Sequence, residues 1–257
     1  MELFIEILVC LLASLGAGLG TGLAGLSAAA VITPMLVTFL DVPAYQAIGI
    51  ALASDVLASA VSSITYAKNK NLDVKNGLIL LAFVLIFTYV GSYVSSLVKS
   101  ESLGFMSIIF TLILGIKFII APKVHVKENK KNMTTKSKVI KSIIFGSMIG
   151  FICGFVGAGG GMMMLMVLTL GLGYELKMAV GTSVFVMSFT ALTGSISHFV
   201  IGGIYDYLIL ILCIVFTCIF AQLASLFANK ASEKTMGRAT GIVLTILGVV
   251  MLIFNLI

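Results

Sequence analysis

The chain is built from repeated apolar runs of about 20 residues, beginning with LFIEILVCLLASLGAGLGTG at 3–22. Wound as helix, a run of that length crosses a hydrocarbon core of about 30 Å. Hydrocarbon offers no water to backbone N–H and C=O groups, so only helices and closed barrels span it. Runs that are apolar throughout, rather than at alternate positions, select helices. Of the 257 residues, 60% are hydrophobic and 10% are charged, where a soluble domain carries about 25% charged residues. The chain therefore reads as an all-α polytopic membrane protein. Its longest polar stretch, 122–141, is too short for a soluble domain. Glu2 and Glu6 stand where a secretory leader carries Lys or Arg, so the first run is read as a membrane segment.

The formal charge of +6 does not point to nucleic acid. The linker 123–141, KVHVKENKKNMTTKSKVIK, holds seven Lys and one Glu and supplies the whole excess. A basic loop between apolar runs is a topology signal first, and a contact for anionic lipid heads second. Cys10, Cys153, Cys213 and Cys218 all lie in apolar runs without a CxxC pair, which suits small apolar filler better than a disulfide. His125 and His198 are far apart in sequence and HExxH is absent. The sequence thus calls for no metal, no cofactor and no catalytic cluster, and an enzyme or a purely structural protein is the weaker class.

Shifted by 132 residues, the chain matches itself without a gap over a long stretch. Gly18 falls on Gly150, Gly22 on Gly154, Gly25 on Gly157, Ala47 on Ala179, Gly49 on Gly181 and Ser63 on Ser195. Punctuation by Gly, Pro and charge divides the first copy into runs at 3–22, 26–40, 45–66, 76–98 and 102–121. The second copy has 139–156, 160–172, 177–200, 206–228 and 238–257. The expected organisation is a first repeat at 1–122, the linker 123–141 and a second repeat at 142–257. Five elements per copy make the copies inverted. The charges agree with a cytoplasmic linker. Lys68, Lys70 and Lys75 then lie inside while the matching turn GGIYD at 202–206 lies outside. Lys230, Lys234 and Arg238 lie inside while their match at 99–101 lies outside, and DVPA at 41–44 lies outside while its match with Lys177 lies inside. Both termini come out on the outer face of the cell membrane. Inverted repeats of this kind typify secondary transporters, whose site lies near the bilayer midplane where the copies meet.

The runs 26–40 and 160–172 are too short to cross upright, spanning about 22 and 20 Å, and both follow glycines at matched positions. In GFVGAGGG, 154–161, five of eight residues are glycine, although each costs a helix interior roughly 1 kcal/mol. A helix that starts inside the membrane presents unpaired N–H groups and about half a positive charge. Such groups must line a cavity, and glycine lets a ligand approach the backbone. Gly157, Ala158, Gly159, Gly160 and Gly161 are therefore expected to cradle an anion, with Gly25, Leu26, Ser27 and Ala28 as the matching cradle and Ser27 as cap and hydroxyl donor. The alternative is close helix packing, which fits the four-residue spacing of Gly146, Gly150 and Gly154 and of Gly18 and Gly22 better. Further polar material shares a face on the runs that follow: Ser183, Thr190, Gly194 and Ser197 on one, Asp55, Ser59, Ser62 and Tyr66 on the other. Lone hydroxyls in a membrane helix can instead bond back to their own turn. Asp55, the one acid deep in a membrane run, is expected to face a cavity and to serve proton coupling; a structural hydrogen bond to a neighbouring helix is the competing role.

These residues bring a family into view. GFVGAGGGMMMLMVLTL followed by AVGTSVFVMSFTALTGSISHF, with GGIYDY after it, resembles the TauE/SafE family of sulfite and organosulfonate exporters. The first copy departs from that pattern, with GLSAAAVITP in place of a glycine run and IGIALASD, 48–55, in place of Gly-Thr-Ser. The resemblance implies outward transport of a small sulfur oxyanion, with Thr182 and Ser183 of the Gly-Thr-Ser stretch at the site. The implied partners are a small anionic substrate and the lipid bilayer, and a homo-oligomer is compatible. Backbone N–H and hydroxyl donors suit an oxyanion, but chloride or a carboxylate would also bind, and a passive anion channel is the alternative on the same scaffold.

The inverted reading has a direct test. Single cysteines placed at Asn132 and near the carboxyl terminus should label from opposite sides of the membrane. Labelling of both from one side contradicts the inversion.

Overall fold

The computed structural model describes residues 2–99, 135–157, 160–168 and 174–232, with isolated residues between 109 and 120 and between 234 and 253. Eight helices account for almost all of the continuous part, and no strand occurs among the described residues. They are α1 (Glu2–Ala24), α2 (Ala29–Leu40), α3 (Ala44–Lys68), α4 (Val74–Ser96), α5 (Thr135–Val156), α6 (Gly160–Met166), α7 (Leu176–Gly202) and α8 (Tyr207–Lys230). The expected runs at 102–121 and 238–257 fall on residues that are mostly outside the description, as does most of the 123–141 linker.

Five of the helices, α1, α3, α4, α7 and α8, are long and apolar enough to cross a membrane. Their outward faces carry exposed Phe4, Ile64, Ile86, Val200 and Leu223. An apolar exterior is what lipid requires, because hydrocarbon does not penalise exposed alkyl groups and does penalise exposed polar ones. Polar side chains also lie inside. Thr21, Ser54, Asp55, Ser59, Ser62, Thr182, Ser183 and His198 are all buried.

Helices α3 and α7 form the centre and run antiparallel. The start of α3 lies on the end of α7, with Gly49 against His198 and Phe199, and the end of α3 lies on the start of α7, with Gly181 against Tyr66. Around this pair α1 lies beside α8 and α4 beside α5, while α3 also touches α8 and α7 also touches α4. The short helices tuck inward, α2 on α1 and α3, and α6 on α5 and α7. Helix α2 starts at Ala29 rather than residue 26. Of the run expected at 160–172, residues 160–166 form regular helix and 167–168 a wider turn, and 169–172 lie outside the described residues. At 12 and 7 residues, α2 and α6 reach about 18 and 10 Å.

The glycines with four-residue spacing act in packing. An added Cβ at Gly154 would lie 2.0 Å from the Thr88 carbonyl oxygen, one at Gly150 would lie 2.3 Å from that of Val84, and one at Gly22 would lie 2.6 Å from that of Ala221. Backbones meet at these points because the glycine side offers no side chain, the means by which membrane helices gain contact where the hydrophobic effect supplies none. Gly154→Ala should therefore lower stability by about 1–3 kcal/mol through overpacking. Gly20→Ala, whose Cβ would meet nothing closer than Leu26 Cδ1 at 3.5 Å, should be tolerated. Thermal unfolding of both variants in detergent checks this, and equal losses would contradict the packing account.

Candidate functional site

Helix α1 ends because Gly25 takes a left-handed conformation, φ 64°, and its N–H donates to the Thr21 carbonyl at 2.9 Å while that of Leu26 donates to Gly20 at 3.1 Å. Glycine is the residue that adopts this turn at no steric cost. Helix α5 ends in the same way at Gly157, φ 71°. These two glycines are 132 positions apart, the shift that aligns the halves of the sequence. Their surroundings match as well. A Cβ on Gly25 would meet Val180 on α7, and one on Gly157 would meet Ile48 on α3, again positions 132 apart.

The two breaks touch. The Ser27 hydroxyl donates to the Gly157 carbonyl at 3.0 Å and accepts from the Ala29 N–H at 3.3 Å. Ala28, rather than Ser27, stands at the cap position of α2, so Ser27 serves the helix start from one residue upstream. Gly161 lies so close to the other break that a Cβ there would sit 2.2 Å from the Gly25 carbonyl oxygen and 3.0 Å from the Ser27 nitrogen. The Ser183 hydroxyl of α7 reaches both breaks, 3.2 Å from the Gly161 carbonyl and 3.5 Å from that of Gly25.

Asp55 borders this junction and is fully buried. Its Oδ1 accepts from Ser59 at 2.8 Å and from Thr21 at 3.5 Å. Ser27 and the Ala28 N–H face the same carboxyl at longer range, while Oδ2 has no hydrogen-bond partner. The acid thus lies at the start of α2, whose helix dipole favours negative charge. No group of three or more His, Cys, Asp or Glu suited to a metal ion occurs among the described residues.

Of the residues expected from the sequence, Gly25, Ser27, Ala28, Gly157, Gly161, Ser183, Ser59 and Asp55 come together here. Leu26 is buried against Gly20. Gly160 begins α6, and Ala158 and Gly159 lie outside the described residues. Thr182 turns away, accepting from the Asp73 N–H at 3.0 Å. Thr190 bonds back to the Val186 carbonyl at 2.9 Å and Ser197 to that of Thr193 at 2.8 Å, the self-contained role open to a hydroxyl in a helix. Ser62 is buried without a partner.

Two features escaped the sequence reading. One is a polar plug at the 69–73 turn: Tyr174 donates to Asp73 at 2.5 Å, Asn71 to Asn229 at 3.0 Å, and the Lys177 ammonium to the Asn229 carbonyl at 2.8 Å. The other is a matched pair of clamps. The Tyr66 hydroxyl donates to the Gly22 carbonyl at 3.0 Å, and His198 Nε2 lies 3.0 Å from the Gly154 carbonyl. Tyr66 and His198 are themselves 132 apart, so the same register that pairs Gly22 with Gly154 could have found them.

Residues 10–251 match the model of the family described as Sulfite exporter TauE/SafE. The chain belongs to that family. It is similar to the probable membrane transporter protein YunE of Bacillus subtilis (strain 168), 27% identical over 252 residues that cover 90% of this chain and 92% of the relative. It is also similar to the probable membrane transporter protein YdhB of the same organism, at 22% identity with 91% and 96% covered. A probable membrane transporter protein of Haemophilus influenzae is 29% identical, with 78% and 76% covered. No solved structure is significantly similar. The protein is accordingly a multi-pass membrane transporter of a small molecule, and not an enzyme.

Proposed function

We propose that the protein is a secondary transporter that exports small sulfur oxyanions such as sulfite or organosulfonates, with the anion held where the two helix breaks meet. The observation that carries this reading is the contact between the breaks, Ser27 on Gly157 and Gly161 on Gly25, bridged by Ser183. The positive end of the α2 dipole lies there, with the Ser27 and Ser183 hydroxyls beside it, each able to turn from its carbonyl toward a ligand, and without Arg or Lys among the described residues, which suits a compact anion. Membership of a family described as sulfite exporters supports the substrate class.

An inverted repeat completes the reading. The left-handed glycines, the Tyr66 and His198 clamps, the antiparallel α3 and α7 and the pairing of α1 with α8 and α4 with α5 are the arrangement that two oppositely oriented copies would produce. In this reading the protein lies in the cell membrane with the 123–141 loop in the cytoplasm and both termini outside, and transport proceeds by rocking one half against the other.

Asp55 supplies the coupling. A charged carboxyl and a substrate anion would compete for the same donors and repel each other. Protonation removes both obstacles, so anion binding strengthens as pH falls and proton and substrate movement become linked. Asp55→Asn imitates the protonated acid. In proteoliposomes it should retain sulfite binding, lose the pH dependence of that binding and lose uptake driven by a pH gradient. A variant that responds to the gradient as wild type does would reduce Asp55 to a structural acid. A wild type whose flux follows only the membrane potential would favour the passive channel.

A further inference from the structure

His198 near the end of α7 is fully buried, and both of its ring nitrogens face carbonyl oxygens. Nδ1 lies 3.0 Å from the Tyr45 carbonyl at the start of α3, and Nε2 lies 3.0 Å from the Gly154 carbonyl at the end of α5. A carbonyl oxygen only accepts, and a neutral imidazole carries one N–H. The two contacts are therefore both hydrogen bonds only when the ring holds two protons. The Tyr45 ring lies against the imidazole, centroids 4.2 Å apart and tilted by 36°, so an aromatic face stands beside the place where the charge would sit.

We infer that His198 binds a proton that latches the start of α3 to the end of α5. Doubly protonated, the ring ties both elements through charge-assisted bonds. With one proton lost, one tie becomes a repulsive contact between a lone pair and a carbonyl, and that end of the helix bundle loosens. The adjoining contacts place the latch at a joint: Tyr45 also donates to the Ser92 carbonyl of α4 at 3.3 Å, and Gln46 donates to the Gly202 carbonyl of α7 at 2.9 Å. Gly154 lies three residues ahead of the left-handed Gly157, so the tie reaches the break itself. At the matching joint of the other half, Tyr66 on Gly22 makes a single bond that needs no added proton. The two halves thus differ in their response to pH.

The titratable groups on the adjoining turns are otherwise engaged or turned outward. The Tyr45 hydroxyl is on Ser92, Cys153 of α5 is buried, Tyr93 of α4 is exposed, and the Asp206 carboxylate caps α8 by accepting from Leu208 and Ile209. No carboxylate or ammonium bonds the ring among the described residues. The proton is held by carbonyl dipoles and an aromatic face, independently of Asp55 and of which substrate is carried.

The chain has two histidines, so His125→Gln, in the linker, leaves His198 as the sole source of an imidazole signal. Nitrogen-15 spectra of histidine-labelled protein in lipid nanodiscs report directly whether each ring nitrogen bears a proton. The expected result is two protonated nitrogens at low pH and the loss of one as the pH is raised. Hydrogen exchange at the start of α3, corrected for its intrinsic pH dependence, should then rise about tenfold across the same range, as the loss of one charge-assisted bond implies. It should be flat in His198→Gln, which keeps one donor at every pH. A single neutral tautomer throughout, or exchange that rises equally in His198→Gln, would overturn the inference.

Discussion

Everything in this structure turns on how helix ends are satisfied inside a membrane. A helix that stops in hydrocarbon leaves carbonyls at its end and the next helix leaves N–H groups at its start, each expensive to bury unpaired. Here the two interrupted helices answer one another. Ser27 of one break serves the carbonyl of Gly157 in the other, and Ser183 from the central helix serves carbonyls of both. Left-handed glycines make the turns, and the absence of a side chain at Gly161 lets the breaks touch. What remains is a polar junction inside an apolar shell.

The surrounding helices hold that junction in register. Gly18 and Gly22 seat α1 on α8, and Gly146, Gly150 and Gly154 seat α5 on α4. Close backbone approach at these points means that a small shift of one helix is felt by its neighbour, as rigid-body motion of packed elements requires. The clamps at Tyr66 and His198 act at the last turns before the breaks. A change at either clamp therefore bears on the shape of the junction without touching a substrate.

The membrane class, eight of the helical runs and the location of both breaks were legible in the sequence, because apolar length and glycine punctuation report directly on what hydrocarbon and a left-handed turn demand. Asp55 was legible for a similar reason, since an acid in an apolar run needs an explanation. The boundaries of the short helices were not. Ala28 and Ala29 look alike in composition, and the end of α6 at Met166 lies in the uninterrupted apolar run MMMLMVLTL. Helical spacing placed Thr190 with the site, but spacing gives a face and not a partner, and its hydroxyl returns to its own helix. Thr182 followed Ser183 in a family motif, yet adjacent helical residues point about 100° apart, and Thr182 meets the 69–73 turn instead. The place of His198 between two carbonyls from separate helices is something no local pattern reveals.

The account depends most on the claim that the meeting point of the breaks holds the anion. Equilibrium titration of purified protein with sulfite, comparing wild type with Ser183→Ala, tests it most directly. Ser183 lies between both breaks, and its loss removes a donor while leaving the chain able to pack. The account predicts saturable binding to wild type, weakened about tenfold in the variant, as expected for one hydrogen bond to a charged group. Undiminished binding by Ser183→Ala, or no saturable binding by wild type, would contradict it.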